Sequence, residues 1–346
     1  MTSTDKLLQM LLRTGPLSRA ALAKCLHLSR PAISSQVERL VEDGVILERG
    51  CGSSTGGKPP IILALNPRNF CAVGLDIGHS SKLRGVLCNS AGEMLFQAEV
   101  QHENTFESIL DGCRELVRQL RQKVDLPLCG IGIAVAGQVD HRLNEVVYCA
   151  NFPVRGKNLS GLIGSSFNCP VSLENRARAA AKWEYYLGAA RKTEDFLFLS
   201  AERGFGTAWY NNGKLFIGRA GVAGEIHDLQ VPAPGGNGML PIETALSETF
   251  LQTLENPNGY LLETVQYAVR LLVNFLDPEL VVFGGKLRDL GVDFMENISE
   301  NMALDPPRVL TFKLSQSGRI GAALGAALGI VIQNWTQFTK EVTNES

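Results

Sequence analysis

One amphipathic stretch near the start of the chain, residues 29–44, constrains the fold more than any other. Ser29 suits the N-cap of a helix and Pro31 suits its first turn, where the missing backbone N–H would have no partner in any case. Apolar residues then recur at helical spacing and predict one buried face. These residues are Ile33, Val37, Leu40 and Val41. A helix with a single apolar stripe packs through that stripe and leaves its other face open.

The open face of this helix carries small or hydrogen-bonding side chains, which suit a helix lying in the major groove of DNA. A shorter helix over residues 18–28, capped by Ser18, precedes it after a tight turn. Two helices joined in this way predict a helix-turn-helix, with three ordinary amphipathic helices as the alternative. The residues expected to face bases or phosphates are Ser29, Ala32, Ser35, Gln36 and Arg39.

A β-hairpin is predicted directly after the two helices. Residues 45–49 and 61–65 have the composition of strands, and a Gly/Ser-rich turn over residues 50–58 joins them. A hairpin beside such a helix pair predicts a winged helix-turn-helix. Lys58 at the wing tip could approach a phosphate or the minor groove, and the alternative is that it only ends the loop.

Charge divides unevenly along the chain. Residues 1–66 hold 8 Lys and Arg against 5 Asp and Glu, which leaves 25 against 30 for the remainder. The first segment is therefore modestly basic, as expected of a module that contacts phosphates, and the larger part is not expected to bind nucleic acid by itself.

The cysteines indicate a reducing compartment. All eight are scattered singly, with no C-x-x-C pair, so we expect reduced thiols that mostly fill the core. No leader sequence and no apolar run long enough to span a bilayer is visible. A cytoplasmic, soluble protein with no membrane partner is the expectation.

The pattern changes to α/β after a break at residues 66–69. The order of strand, hairpin, helix and strand over residues 71–137 fits a lobe of an actin-like ATPase as well as a generic doubly wound sheet. The expected division is a winged helix over residues 1–66, a first lobe over 70–190 that residues 318–336 complete, and a second lobe over 191–317.

Several ordered blocks resemble those of the ROK family, which comprises repressors, open reading frames and sugar kinases. The blocks are Leu75-Asp76-Ile77-Gly78, Asn151-Phe152-Pro153, Leu173-Glu174-Asn175, Gly221 to Ile226, Ile242-Glu243-Thr244 and Val281 to Gly285. The winged helix in front of them resembles the repressor branch. The resemblance implies an α/β, actin-like (ribonuclease H-like), two-lobed sugar-kinase fold behind the DNA-binding domain.

The chain departs from the family kinases where catalysis would take place. The kinases use the Asp of an E-N-D-A block as general base, whereas this chain has Arg176 in Glu174-Asn175-Arg176-Ala177. A guanidinium is always protonated and cannot accept a proton. His79 and Glu202 also replace residues of the two phosphate loops. We therefore expect a catalytically dead domain with no catalytic residues and no ATP or other cofactor.

The structural zinc of the family is not expected either. The family holds it with one histidine and three cysteines. In this chain His227 lies one position early, and residues 232–241 contain no cysteine. A lone histidine without thiolates is more often an ordinary surface or core residue, so we expect no metal.

The residues that contact sugar in the family are better retained. By resemblance, Asn175, Glu225 and Glu243 stand where family members bind sugar hydroxyls, Asn151 is a weaker candidate, and Asp228 replaces a ligand-touching histidine. The alternative is that Glu225 and Glu243 are residual capping or surface carboxylates. The expected set for the effector is Asn151, Asn175, Arg176, Glu225, Asp228 and Glu243.

Arg176 admits two hypotheses. It could pair with a phosphate or carboxylate on the ligand, which would favour an anionic sugar such as a sugar phosphate. It could instead fill a vestigial pocket through a salt bridge to Glu174 or Glu225.

These features favour a sugar-responsive transcriptional regulator, most simply a repressor. It would bind a palindromic operator in double-stranded DNA as a homodimer or a tetramer. A regulator controlled by a protein partner and an active ATP-dependent sugar kinase remain as alternatives.

Overall fold

The computed structural model describes residues 2–51, 59–78, 81–201, 204–300, 302 and 309–342. The amino-terminal part is a winged helix-turn-helix, as predicted. Its helices are α1 (Ser3–Thr14), α2 (Arg19–Leu26) and α3 (Arg30–Glu42). Its strands are β1 (Leu17–Ser18), β2 (Ile46–Cys51) and β3 (Ile61–Leu65), which form an antiparallel sheet in the order β1-β3-β2.

Side-chain caps start all three helices. Thr2 and Asp5 form a capping box at α1. The Ser18 hydroxyl accepts a hydrogen bond from the Ala21 amide at 3.2 Å, and the Ser29 hydroxyl accepts one from the Ala32 amide at 3.4 Å. The predicted caps of α2 and α3 are therefore confirmed, and each satisfies an amide that would otherwise lack a partner.

The first lobe is built on a five-stranded sheet in the order β10-β7-β4-β5-β6. The strands β4, β5 and β6 are antiparallel, and β4, β7 and β10 are parallel. The strands are β4 (Cys71–Ile77), β5 (Lys82–Asn89), β6 (Met94–Gln101), β7 (Leu128–Val135), the hairpin β8 (Gln138–Asp140) and β9 (Glu145–Tyr148), and β10 (Val171–Asn175). The helices are α4 (Phe106–Arg121), α5 (Leu159–Phe167) and α6 (Arg176–Tyr186).

The second lobe repeats this arrangement. Its sheet has the order β13-β12-β11-β16-β17, with an antiparallel β11-β12-β13 meander and parallel β11, β16 and β17. The strands are β11 (Phe196–Ala201), β12 (Phe205–Asn211), β13 (Lys214–Leu215), the hairpin β14 (Gln230–Pro232) and β15 (Met239–Pro241), β16 (Leu280–Gly284) and β17 (Thr311–Leu314). The helices are α7 (Ile242–Ala245), α8 (Glu248–Leu251), α9 (Pro257–Leu276), α10 (Gly285–Asp289), α11 (Gly291–Glu300) and the carboxy-terminal α12 (Gly321–Val342).

Helices α6 and α12 cross between the two sheets. Small residues permit the close approach: a Cβ on Gly325 of α12 would lie 1.6 Å from the carbonyl oxygen of Ala179 of α6. A Cβ on Gly74 of β4 would likewise lie 1.9 Å from the carbonyl oxygen of Ala323. Helix α12 therefore packs on the first sheet, although it follows the last strand of the second.

Helix α6 makes the reverse exchange. It follows β10 of the first sheet, but Ala177, Ala181 and Tyr185 pack against residues of the second sheet, including Phe196 and Tyr210. These contacts attach α6 to the second lobe, whereas the predicted division at residue 190 assigns it to the first. That division stays a prediction. Two repeated sheets with exchanged helices form the two-lobed fold that the resemblance implies.

The winged helix shares its core with the first lobe. Leu8 and Leu12 of α1 belong to the same buried cluster as Phe70 and Val86 of the first lobe and Leu328 of α12. Trp335 of α12 belongs to the same cluster, and its indole N–H donates to the Ser90 carbonyl of the first lobe at 2.9 Å. The break at residues 66–69 therefore separates two topologies but not two hydrophobic cores.

The buried cysteines fit the predicted role as core-filling thiols. Cys71, Cys88, Cys113 and Cys129 are buried, and burial raises the pKa of Cys88 and of Cys113 to about 12. Within the described ranges, no helix combines the length and apolar character that crossing a membrane requires.

Candidate ligand-binding cleft and DNA-binding face

A cleft lies between the lobes, at the amino-terminal end of α6. Both lobes and the crossing helices contribute to its walls. Its polar lining includes Asn151, Asn175, Arg176, Glu225, His227 and Glu243, and its aromatic lining includes Tyr148, Phe198 and Phe205. A few polar groups that converge within a partly apolar cavity are typical of a small-molecule site.

Asn175 joins the two lobes at the floor of this cleft. It is the N-cap of α6, where its Oδ1 accepts a hydrogen bond from the Arg178 amide at 3.2 Å. Its Nδ2 donates to the Gly137 carbonyl at 3.1 Å and to Glu225 Oε1 at 2.9 Å. The side chain is therefore held in one orientation, and it orients Glu225.

Glu225 and Glu243 give the cleft two carboxylates. Burial raises the pKa of each, an effect that is partly offset for Glu225 by Arg178 and for both by His227. Within the described part of the chain, no donor contacts the Glu243 carboxylate. A carboxylate oxygen that no protein group donates to is suited to accept a hydrogen bond from a ligand hydroxyl.

Arg176 is held by Asp76 in a two-point ion pair. Its Nε lies 2.6 Å from Asp76 Oδ1 and its Nη2 lies 3.0 Å from Oδ2. The Asp76 side chain is 2% exposed and that of Arg176 is 14% exposed. The expected salt-bridge partners, Glu174 and Glu225, are therefore replaced by Asp76, because the carboxyl end of β4 faces the start of α6.

The same contact places the guanidinium against the backbone of the first phosphate-loop motif. A Cβ on Gly78 would lie 2.0 Å from Arg176 Nε. Arg176 thus covers the backbone that resembles the phosphate loop of the kinases, and its charge is neutralised. An ion pair of this kind leaves little attraction for an anionic ligand.

Glu174, the other expected partner of Arg176, faces Lys182 and His141 instead. Its Oε2 lies 3.2 Å from Lys182 Nζ, and its Oε1 lies 3.3 Å from His141 Nε2. Burial alone would raise the pKa of Glu174, but Lys182 and His141 outweigh burial and lower the pKa.

At the end of the cleft, His227 takes the place that we expected for Asp228. Asp228 is exposed and does not line the cleft, whereas His227 does. His227 lies one position before the histidine that binds zinc in the family. It nevertheless lines the cleft together with Glu225 and Glu243. In the described ranges, no three His, Cys, Asp or Glu side chains are grouped to hold a metal ion.

The remaining cleft residues divide into one that was expected and one that was missed. Asn151 lines the cleft, as expected. Tyr148, which was not expected, also lines it and is 41% exposed. In the sequence, Tyr148 is recognisable only as a residue shortly before the Asn151 block. That position does not indicate that the β8–β9 hairpin forms part of the cleft wall.

The outer face of α3 is open, as a DNA-contacting helix requires. Ser29, Ser35 and Arg39 are exposed, and Ala32 is partly exposed. Arg39 forms a 3.8 Å ion pair with Asp43 and keeps 70% of its side-chain surface exposed. Arg30 is also exposed in the first turn of α3 and was not among the expected contacts.

Gln36 is the exception on this face. It is partly buried, and its Nε2 donates to the Ser3 hydroxyl of α1 at 2.8 Å. Its Oε1 is buried without a partner in the described ranges. Gln36 therefore packs toward α1 in this structure, because it lies at the border between the buried stripe and the open face. Lys58, His79 and Glu202 lie outside the described residues.

The fold and the cleft define a class of protein: a winged helix-turn-helix joined to a two-lobed, sugar-kinase-like ligand domain. The chain belongs to the ROK family, whose profile matches residues 72–251. A winged helix-turn-helix DNA-binding profile matches residues 2–46. The resemblance inferred from the sequence blocks is thereby confirmed.

Curated relatives are bacterial regulators. The chain is 30% identical over 235 residues to the xylose repressor of Bacillus subtilis (strain 168). The aligned segment covers 66% of this chain and 60% of the relative. It is 23% identical over 317 residues to the DNA-binding transcriptional dual regulator NagC of Escherichia coli (strain K12), covering 80% of this chain and 78% of NagC. The chain spans about 60% of the length of the Bacillus xylose repressors it matches.

Solved structures show the same fold. A ROK family transcriptional regulator, described as a homologue of the E. coli MLC protein, aligns with a TM-score of 0.76 and 19% identity over 98% of both chains. A ROK family glucokinase from Streptomyces griseus, in complex with glucose and AMPPNP, aligns with a TM-score of 0.64 and 22% identity over 74% of this chain and 98% of that one. The predicted fold class is confirmed.

Proposed function

We propose that this protein is a cytoplasmic, sugar-responsive transcriptional regulator that binds DNA through α3 and the wing. One observation carries the proposal: helix α12 lines a polar cleft that holds two carboxylates, and the same helix packs into the core of a winged helix with an open recognition face. The names of the curated relatives support repression as the direction of control.

The DNA contacts that we propose are Ser29, Ala32, Ser35, Arg39 and Lys58, with Arg30 added from the structure. Gln36 could join them only after releasing Ser3. A single winged helix reads one short half-site, so a homodimer on a palindromic operator is the simplest arrangement.

The effector that fits the cleft is an uncharged sugar. Asn175, Glu225, Glu243 and Asn151 supply donors and acceptors for hydroxyl groups, and the exposed Tyr148 supplies an aromatic face. Among the described residues of the lining, the two arginines are already paired, Arg176 with Asp76 and Arg319 with Asp289. Because the Glu225 and Glu243 carboxylates remain in the cleft, an anionic sugar would meet more repulsion than attraction.

We further propose that the domain has no kinase activity. Phosphoryl transfer needs a base on the sugar hydroxyl and a site for the nucleotide phosphates. Arg176 stands in the position of the base in the resemblance, and its guanidinium lies on the phosphate-loop backbone at Gly78.

A two-part binding experiment tests this function. Duplexes would be selected from a random-sequence library with the whole protein, and release would then be measured with D-xylose, D-glucose and N-acetylglucosamine. Glucose 6-phosphate and N-acetylglucosamine 6-phosphate serve as matched anionic controls. We expect a neutral sugar to weaken DNA binding at least fivefold, with weaker effects of the phosphates. Failure of every neutral sugar would refute the proposal and favour control by a protein partner.

Release of ADP in a coupled assay with the same sugars would refute the absence of kinase activity. The required control is a parallel assay with an active ROK sugar kinase. Because both assays use the same sugars, each sugar is tested separately for release of DNA, which reports sensing, and for release of ADP, which reports catalysis.

A further inference from the structure

The two ends of α6 contact different functional parts of the protein. At its amino-terminal end, the N-cap Asn175 and the helical residues Arg176, Ala177 and Ala180 line the cleft. At its last turn, Tyr185 and Tyr186 contact α1 of the winged helix. The helix contains 11 residues and is about 16 Å long, so one rigid element connects the cleft to the winged helix.

Arg13 of α1 makes the main contact at the far end. Its Nη1 donates to the Tyr185 hydroxyl at 2.8 Å, and its guanidinium carbon lies 4.0 Å from the centre of the Tyr185 ring. The same guanidinium donates to the carbonyls of Arg191 at 2.9 Å and Thr193 at 2.8 Å, and it forms an ion pair with Glu194. The Arg13 side chain is 15% exposed and that of Glu194 is 54% exposed, so the bonds to Tyr185 and the two carbonyls are shielded from water more than the ion pair is.

A second bond lies one helical turn earlier on α1. The Tyr186 hydroxyl donates to Gln9 Oε1 at 3.0 Å. We name the contacts of Arg13 and Gln9 with Tyr185, Tyr186 and residues 191–194 the α1–α6 joint. The joint is held by hydrogen bonds, an ion pair and the stack of Arg13 on the Tyr185 ring, whereas α1 contacts the first lobe through apolar side chains.

The carboxy-terminal end of α6 is attached to the second lobe by Glu184. This carboxylate is fully buried and accepts hydrogen bonds from the hydroxyls of Ser315 at 2.6 Å and Ser317 at 2.7 Å, and from the Ala189 amide at 2.7 Å. Ser315 directly follows β17 of the second sheet. The last turn of α6 is therefore expected to move with the second lobe.

The winged helix is consequently held by both lobes at once. Its apolar side packs on the first lobe and α12 through Leu8 and Leu12. Its polar side is held by the α1–α6 joint, which belongs to the second lobe. A change in the angle between the lobes must then alter either the joint or the apolar contact.

We propose that the α1–α6 joint transmits occupancy of the cleft to the recognition helix. The proposal rests on the proposed function and adds the route of its regulation. The route continues through α1, whose other end holds Gln36 of α3 by the bond to Ser3. Because α1 spans about 18 Å over 12 residues, a small rotation at Arg13 displaces its far end and α3 with it.

Substitutions in the joint test the route, because none of its residues lies in the cleft or on the open face of α3. Arg13→Gln removes the guanidinium fork, and Tyr185→Phe removes one hydroxyl while keeping the ring. Arg118→Gln is the matched control, since Arg118 is 58% exposed on α4 and forms a solvent-exposed ion pair with Glu115.

Three quantities would be measured for each whole-length variant: sugar affinity by calorimetry, DNA affinity without sugar, and the ratio of DNA affinities without and with sugar. The sugar is the neutral one that releases DNA from the wild type. We expect Arg13→Gln to bind sugar within twofold of the wild type and its ratio to fall to below twofold. Tyr185→Phe should lower the ratio in the same direction, and Arg118→Gln should keep it.

The outcomes separate the two proposals. If the wild type ignores every sugar, the proposed function fails and the route falls with it. The other case is that the wild type responds to sugar and that both Tyr185→Phe and Arg13→Gln, shown by circular dichroism to be folded, keep the full ratio. Only the proposed route is then wrong. Should Arg13→Gln fail to fold, Tyr185→Phe alone decides, because loss of one hydroxyl leaves the packed ring in place.

Discussion

Removing the charge of Arg176 should destabilise the fold substantially. Arg176→Met keeps a long apolar stem but leaves the Asp76 carboxylate, which is 2% exposed, without its cation. Loss of one partner of a buried ion pair typically costs about 3–5 kcal/mol, because the other charge remains buried and unpaired.

The expected shift in melting temperature follows from the size of the chain. Unfolding entropy of about 2.1 cal/mol/K per residue gives roughly 0.7 kcal/mol/K for 346 residues that unfold together. A loss of about 3–5 kcal/mol then lowers Tm by ~4–7 °C. Arg118→Met on the exposed face of α4 should cost at most about 0.5 kcal/mol, since its ion pair with Glu115 is solvated.

A double-mutant cycle identifies the source of the loss. Asp76→Asn alone and Arg176→Met alone would each be compared with the double variant by urea denaturation at pH 7.5. We expect a coupling of about 2–3 kcal/mol, because the two side chains share a two-point contact. Additive losses would show that the pair does not stabilise the fold and would refute the reasoning.

Three further predictions follow from the crossing helices, the cleft and the DNA-binding face. Gly325→Ala should destabilise the fold by more than about 3 kcal/mol in urea denaturation, since the new Cβ would lie 1.6 Å from the Ala179 carbonyl oxygen; unchanged stability would contradict the close crossing. Burial raises the pKa of Glu243 above its ordinary value of 4.5, so its contribution to stability falls as pH rises, and Glu243→Gln should gain thermal stability relative to the wild type between pH 4 and pH 7.5. Arg39→Ala should weaken binding to all DNA sequences and lower the salt slope by about 1 if Arg39 contacts a phosphate, and an unchanged slope would exclude that contact.

Elements that depend on neighbours in the sequence were predictable. Ser18 and Ser29 are caps because the amides they satisfy lie three positions away. The strands β2, β3 and β4 were visible as apolar runs bounded by turn residues. The ordered family blocks then indicated the two-lobed fold, which no local pattern had separated from a generic doubly wound sheet.

Features that depend on contacts between distant positions were not predictable. Arg176 finds Asp76 across 100 positions of sequence, and Arg13 finds Tyr185 across 172. Such pairs depend on the exchange of α6 and α12 between the sheets. The substitution at Arg176 was visible in the sequence, but its partner was set by the packing of the start of α6 against the end of β4.

The cleft was predictable in composition but not in detail. Asn175, Glu225 and Glu243 were expected and do line it. His227 replaces Asp228 because the loop after β13 presents the earlier residue to the cavity, and Tyr148 enters because the β8–β9 hairpin closes one wall. The positions of loop side chains depend on how the two lobes meet, which a single sequence does not specify.

The most direct test of the central claim is the affinity of the wild-type protein for its selected DNA, measured by fluorescence anisotropy with and without neutral sugars. We expect at least one of D-xylose, D-glucose and N-acetylglucosamine to weaken binding at least fivefold, and we expect Glu243→Gln to reduce this effect. An affinity that no neutral sugar changes would contradict the claim that the cleft controls the winged helix.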